Sequence, residues 1–175
     1  TPIKSSAASD VYKRQVADYY IESSYLSTSQ LKEEIKGLFL EKNSDSMIIK
    51  IMSFGYKYGV STEADLVFDV RCLPNPYYIK ELRSQTGCDS SVRDYVMSFE
   101  QSRILLDKIK DLLDFLIPLY VHEGKSQLVI CFGCTGGKHR SITFTELVSD
   151  YLIKRGLRVQ KSHRDIGKDI SYYRT

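Results

Sequence analysis

The sequence predicts an α/β fold, a mostly parallel sheet with helices packed on it and a phosphate-binding loop at a strand end. Three observations carry this. Apolar, strand-length runs at Met47–Ser53, Ala64–Cys72, Gln127–Gly133 and Leu157–Gln160 alternate with helical periodicities. The third run is apolar at every position but its ends, as in a parallel sheet covered on both faces. That run leads directly into a glycine-rich turn and then a helix, an arrangement that aims backbone amides at an anion.

Taken in order, residues 1–15 are small and polar around Ser5-Ser6-Ala7-Ala8-Ser9 and read as a disordered or unrelated lead. Residues 16–40 read as one strand and one helix. Ala17–Ile21 is β-prone, and Ser27-Thr28-Ser29-Gln30 has capping-box spacing ahead of Leu31, Ile35, Leu38 and Phe39. One strand and one helix bury too little to stand alone, so this stretch is expected to be the end of another domain. Residues 41–46 are a polar linker, 47–168 a self-sufficient α/β domain, and 169–175 a tail.

Within that domain, Leu66, Phe68 and Val70 alternate with Asp69 and Arg71, the pattern of a half-buried strand. Pro74-Asn75-Pro76 then forces an extended or turning segment. Apolar positions from Val92 to Tyr120 recur at helical spacing and predict one long helix, bent or ended near Pro118. Arg140–Arg155 predicts a second helix stopped by Gly156. The chain has 175 residues, 42% hydrophobic and 27% charged, which excludes the disordered, collagen-like and disulfide-stapled classes. No apolar run approaches the roughly 20 residues of a membrane helix. No signal-peptide core opens the chain, so a cytoplasmic protein with reduced cysteines and no membrane partner is expected.

Charge is uneven. Residues 154–175 hold seven basic and two acidic residues, while the rest of the chain is close to neutral. A basic end on a near-neutral body points to a polyanion. Lys154, Arg155, Arg158, Lys161, Arg164 and Lys168 are the candidate RNA contacts, lining one edge if the fourth strand lies beside the third.

The densest chemistry is Gly133-Cys134-Thr135-Gly136-Gly137-Lys138-His139-Arg140-Ser141. Glycines permit a tight turn and close approach, Thr135 and Ser141 add hydroxyls, and Lys138 and Arg140 add positive charge. This is phosphate-cradle chemistry, without the spacing of a Walker A loop. Arg140 starts a helix and is expected not to fill the core. Strand-end residues Asp69, Arg71 and Asn75 belong to the same expected site, because ligands of parallel sheets sit at the carboxyl ends of strands. The candidate ligand set is Asp69, Arg71, Asn75, Thr135, Gly136, Gly137, His139, Arg140 and Ser141, for a phosphorylated small molecule.

Two other chemistries fit less well. Cys134 and Arg140 have the Cys-x5-Arg-Ser spacing of a cysteine phosphatase, with thiolate nucleophile and phosphate-holding arginine, and with Asp69 as the available general acid. Cys131 and Cys134 form a Cys-x-x-Cys, but Cys131 falls inside an apolar strand and no second pair exists, so no metal site is expected. Cys131 is expected to be a small buried hydrophobe. Cys72 and Cys88 are expected only to pack.

Four ordered segments resemble one family. Ser53-Phe54-Gly55-Tyr56-Lys57-Tyr58-Gly59, Phe68-Asp69-Val70-Arg71 with Leu73-Pro74-Asn75-Pro76, Gly133–Ser141, and Ser162-His163-Arg164-Asp165 are similar to the RNase adapter family of RapZ-like and YvcJ-like nucleotide-binding proteins. The resemblance runs from about Val16 to Lys168, and residues 16–40 resemble the last strand and helix of that family's N-terminal P-loop domain. It implies a bacterial cytoplasmic protein whose full-length relatives bind ATP and GTP through that P-loop domain, with no cofactor in the present chain and no catalytic residue. For the RapZ-like branch it implies binding of small regulatory RNA, contact with an endoribonuclease, homo-oligomers in the intact protein and sensing of glucosamine-6-phosphate through positions matching Asp69, Thr135, Gly136, His139 and Arg140. Tyr58 and Tyr77 depart from that branch, which often carries histidines there.

Overall fold

The computed structural model describes residues 21, 23–39 and 47–168. They divide into two compact units between Asp45 and Ser46. In the first, helix α1 spans Thr28–Phe39. Its start is the reciprocal cap that the sequence announces. The Gln30 amide donates to Ser27 Oγ at 3.3 Å, and the Ser27 amide to Gln30 Oε1 at 2.8 Å. The lead at 1–15, the linker at 41–46 and the tail at 169–175 lie outside the described residues, as does all but Ile21 of the strand expected at 17–21.

The second unit contains β1 (Ile48–Gly55), β2 (Leu66–Asp69), α2 (Ser90–Met97), α3 (Glu100–His122), β3 (Gln127–Cys134), α4 (Arg140–Lys154) and β4 (Arg158–His163). The four strands form one sheet in the order β2-β3-β1-β4, with every pair parallel. This is the α/β sheet that the alternating runs predict. The alternation of side chains along a strand sorts the core. Ile49 and Ile51 of β1 and Leu128, Ile130 and Phe132 of β3 face the helices and pack with Val92, Leu113, Phe144 and Val148. The opposite face carries a smaller cluster, Phe54, Val129 and Cys131, joined by Met52, Tyr56 and Ala64. β3 is therefore buried on both sides, one under helices and the other under the chain that leaves β1.

Three expectations change. The long helix is two helices. Ser98 ends α2 by turning its hydroxyl onto the Tyr95 carbonyl at 2.7 Å, and Phe99 is extended, with φ −87° and ψ 134°. Pro118 does not end the second helix, which runs on to His122. The second strand is shorter than Ala64–Cys72, because the Asp69 carboxylate takes the Arg71 amide at 2.9 Å and turns the chain. β4 pairs with β1 and not with β3. β3 already has β2 on its other side, so the open edge of β1 is where a fourth strand can add. Gly156, at φ +79°, stops α4 as expected. Among the described residues no helix is long and apolar enough to cross a membrane.

Candidate functional site

β1 and β3 end side by side, Gly55 opposite Cys134. The chain leaving β1 makes a single 3-10 turn at Tyr56–Tyr58, and the chain leaving β3 makes the loop that starts α4. The two exits touch backbone to backbone, and the Lys57 amide donates to the Thr135 carbonyl at 3.2 Å. A Cβ on Gly55 would lie 2.6 Å from the carbonyl carbon of Gly136, and one on Gly137 (φ +74°) would lie 2.6 Å from the Gly55 nitrogen. Only glycine permits this approach.

Beside this contact opens a cleft of about 510 Å³, lined by Asn75, Thr135, Gly136, Lys138, His139 and Arg140 among others. Arg140 is the fixed cation. It is buried, 5% exposed, and its Nη1 donates to the carbonyls of Arg71 and Leu73, both at 2.8 Å. Its Nε has no hydrogen-bond partner among the described residues. No carboxylate there lies within ion-pair distance of Arg140 or Lys138. Arg140 is thus part of the core as well as of the cleft, contrary to the expectation that it need not fill the interior. A residue that opens a helix beneath two strand exits has nowhere else to go.

His139 is also buried, and its Nε2 lies 3.2 Å from the Leu82 carbonyl. A carbonyl only accepts, so Nε2 carries the proton and Nδ1 is left as an acceptor. Burial, helped by Lys138, holds the imidazole pKa below its ordinary value and keeps it neutral at pH 7. Asn75 accepts the Tyr77 amide on Oδ1 at 3.4 Å, so its NH2 group remains a donor for a ligand.

The other expected residues fall elsewhere. Asp69 and Arg71 pair with each other on the exposed rim, Nη2 to Oδ2 at 2.6 Å, and Arg71 stacks over Tyr56 at 3.9 Å. The Arg71 guanidinium holds the Asp69 carboxyl below the usual carboxylate range. Gly137 is used up in the contact with Gly55. Ser141 is buried against Cys134, Oγ to Sγ at 3.1 Å, and the same sulfur accepts the Gly137 amide at 3.3 Å. Cys134 thus has polar neighbours, but Asp69, ionised and locked to Arg71, is a poor general acid for a cysteine phosphatase. Cys131 is fully buried, which pushes its thiol up to about 11. Cys72 and Cys88 do not pack inside, because both are exposed.

Sequence reasoning missed Arg83 and Tyr78 in the cleft wall, which Tyr77, a departure from the RapZ-like branch, also lines. Arg83 donates from Nε to the Tyr77 carbonyl at 3.1 Å and lies over the Tyr77 ring at 4.9 Å. The Pro-Asn-Pro turn hinted at this wall, but nothing local marked Arg83 as facing it.

The expected basic edge is not a single open surface. Arg155 pairs with Asp114 at 3.2 Å, Lys161 with Glu146 at 2.9 Å, and Arg164 and Lys168 with buried Asp165 at 2.7 and 2.6 Å. Lys154 and Arg158 are exposed at the end of α4 and the start of β4.

Fold and cleft define an α/β protein with a cationic pocket at the ends of parallel strands. Residues 47–167 match the family model of the RapZ C-terminal domain, and the chain belongs to that family. It is 55% identical over 157 residues to a nucleotide-binding protein of Caldanaerobacter subterraneus subsp. tengcongensis, covering 89% of this chain and 55% of the relative. It is 54% identical over the same length to a nucleotide-binding protein of Thermoanaerobacter sp., with the same coverage. A nucleotide-binding protein of Acetivibrio thermocellus is 55% identical over 157 residues, covering 89% of this chain and 54% of the relative. None of these names is that of an enzyme. The chain spans about half the length of the curated relatives it matches.

Proposed function

We propose that this domain binds a phosphorylated small molecule in the strand-end cleft, and that it acts by binding and not by catalysis. The observation that carries the reading is Arg140, a buried guanidinium held by two carbonyls, with no carboxylate partner among the described residues and with Nε unmet. A buried cation of this kind is costly unless an anion completes it. Lys138, the Thr135 hydroxyl and the first amides of α4 are donors suited to phosphate oxygens. The Nδ1 acceptor of His139 and the amide of Asn75 suit the hydroxyls or amine of a sugar. Glucosamine-6-phosphate is the hexosamine phosphate that the RapZ resemblance favours.

In the intact protein, ATP or GTP would be held by a P-loop domain, as the family resemblance implies; the relatives' names support nucleotide binding. Small regulatory RNA, an endoribonuclease and a homo-oligomer in the cytoplasm follow from the same resemblance. Lys154 and Arg158 are the cations best placed to start an RNA contact.

Isothermal titration tests the cleft. Glucosamine-6-phosphate is expected to bind, glucosamine is not, and inorganic phosphate should compete weakly. Arg140→Ala should cost about 2–4 kcal/mol of affinity, the scale of a truncated charge-assisted pair. Equal affinity for sugar and sugar phosphate would remove the phosphate reading. Phosphate release that disappears in Cys134→Ser would replace binding with phosphatase chemistry.

A further inference from the structure

The helix face of β4 carries a second constellation, remote in sequence and outside the cleft lining. Cys88 comes from the turn before α2, Glu146 from α4 and His163 from the end of β4, and their ligand atoms all lie within 4.8 Å of one another. Cys88 Sγ is 3.8 Å from His163 Nε2, and His163 Nε2 is 3.2 Å from Glu146 Oε1. We propose that Cys88, Glu146 and His163 form a binding site for one divalent transition-metal ion of the zinc type.

The geometry matches such an ion. Bond lengths near 2.3 Å to sulfur and 2.0–2.1 Å to nitrogen or oxygen put neighbouring donors of a tetrahedron about 3.3–3.6 Å apart. The His163–Glu146 separation, 3.2 Å, falls just below that range and the Cys88–His163 separation, 3.8 Å, just above it. One thiolate, one imidazole and one carboxylate form a borderline-soft set, which suits zinc and not calcium or magnesium. Three protein ligands leave a fourth position for water.

The surroundings are those of a held site. Glu146 and His163 side chains are 14% and 15% exposed, while Cys88 is exposed and gives a way in. Lys161 Nζ donates to Glu146 Oε2 at 2.9 Å, which fixes the carboxylate and leaves Oε1 turned toward His163. Ser53 Oγ lies 2.9 Å from His163 Nδ1. Without metal, Nε2–H donates to Glu146 and the serine hydroxyl donates to Nδ1. With metal, the ring proton moves to Nδ1, Ser53 Oγ accepts it, and the Nε2 lone pair faces the ion. The Cys88 thiol proton is released to solvent. The lone Cys-x-x-Cys at Cys131 and Cys134 pointed to no metal site, because the three residues here share no local spacing. Here Cys88 and His163 are 75 residues apart and meet only because β4 adds to β1.

Titration of this chain, freed of metal by chelation, with Co²⁺ and then Zn²⁺ tests the proposal. One Co²⁺ per chain should give intense visible bands of a tetrahedral centre and a thiolate charge-transfer band, and Zn²⁺ should displace it. Cys88→Ser should abolish the charge-transfer band, while Cys72→Ser, the other exposed cysteine, should leave it. Ser53→Ala should keep the band but weaken binding by about tenfold, as loss of an outer-shell partner does. Thermal unfolding of each variant without metal checks that the fold survives. A charge-transfer band that persists in Cys88→Ser, or no stoichiometric binding by the folded wild type, overturns the site.

Discussion

Arg140 and Arg164 occupy the two flanks of β1, and each donates to backbone carbonyls. Arg140, on the β3 flank, donates to Arg71 and Leu73. Arg164, on the β4 flank, donates to Gly59 at 2.6 Å. The difference is the carboxylate. Arg164 also grips Asp165, whose side chain is fully buried, and Lys168 and Lys161 beside it have Asp165 and Glu146. Arg140 and Lys138 have no such partner among the described residues. Both flanks are basic in sequence, but they differ in the charge they can offer a ligand. Positive residues attract an anion only where the fold withholds their counter-ions.

The largest test of this contrast falls on Gly55, which serves both flanks. It packs on Gly136 and Gly137, and its amide donates to Asp165 Oδ2 at 2.8 Å. Gly55→Ala should lower stability by about 3 kcal/mol, since the clash is with backbone that cannot step aside. Gly59→Ala, with positive φ but open space around it, should cost only about 1 kcal/mol. Urea unfolding measures both. Similar costs would mean that the two strand exits are less tightly joined than the contact implies.

Asp165→Asn comes next, with a loss of about 2 kcal/mol, below the range for a fully buried pair because Arg164 and Lys168 keep access to water. The same variant should bind RNA more tightly than wild type, since it unmasks two cations. Gel shifts at two salt concentrations check this, and unchanged RNA affinity would break the idea that carboxylates mask this flank. The pH dependence has a definite sign. Burial pushes the Asp165 pKa up, but Arg164, the Gly55 amide and Lys168 together hold it below the ordinary aspartate value. A carboxyl with a depressed folded pKa stabilises above its unfolded pKa, about 4, and that stability is lost as pH falls through the folded value. The urea midpoint should therefore drop on acidification below about pH 4, and Asp165→Asn should flatten the drop.

The smallest effect separates two lysines. Lys138→Ala should weaken glucosamine-6-phosphate binding by about 1 kcal/mol, as loss of a partly exposed charge contact does, with no change in stability. Lys161→Ala should leave that affinity unchanged. Equal losses for both would mean that general electrostatics, and not the cleft, draws the ligand.

The sheet was legible because its signals are local. The apolar run of β3, the Ser27–Gln30 cap and the stop at Gly156 each sit within a few residues. The break at Ser98–Phe99 was not legible, because a hydroxyl turning onto Tyr95 leaves the helical periodicity on both sides intact. In the site, the glycine-rich loop announced Thr135, Gly136, His139 and Arg140. It could not announce that Arg83 would reach the cleft or that Cys88 would meet His163. Those are facts of pairing across distant segments, and no spacing rule records them.

The position of β1 within the sheet has a consequence in time. It leads its unit in sequence, yet both of its neighbours come late. Ile48 pairs with Gln127 and with Arg158. Such long-range pairing makes folding slow. During synthesis Ile48-Ile49-Lys50-Ile51-Met52 must therefore leave the ribosome with both edges bare and wait for β3. An unpaired strand rich in isoleucine is a template for aggregation. Nascent chains stalled just before Gln127 should be captured by holdase chaperones, and release should follow once β3 has emerged. Equal capture of chains stalled before and after β3 would show that β1 finds shelter earlier.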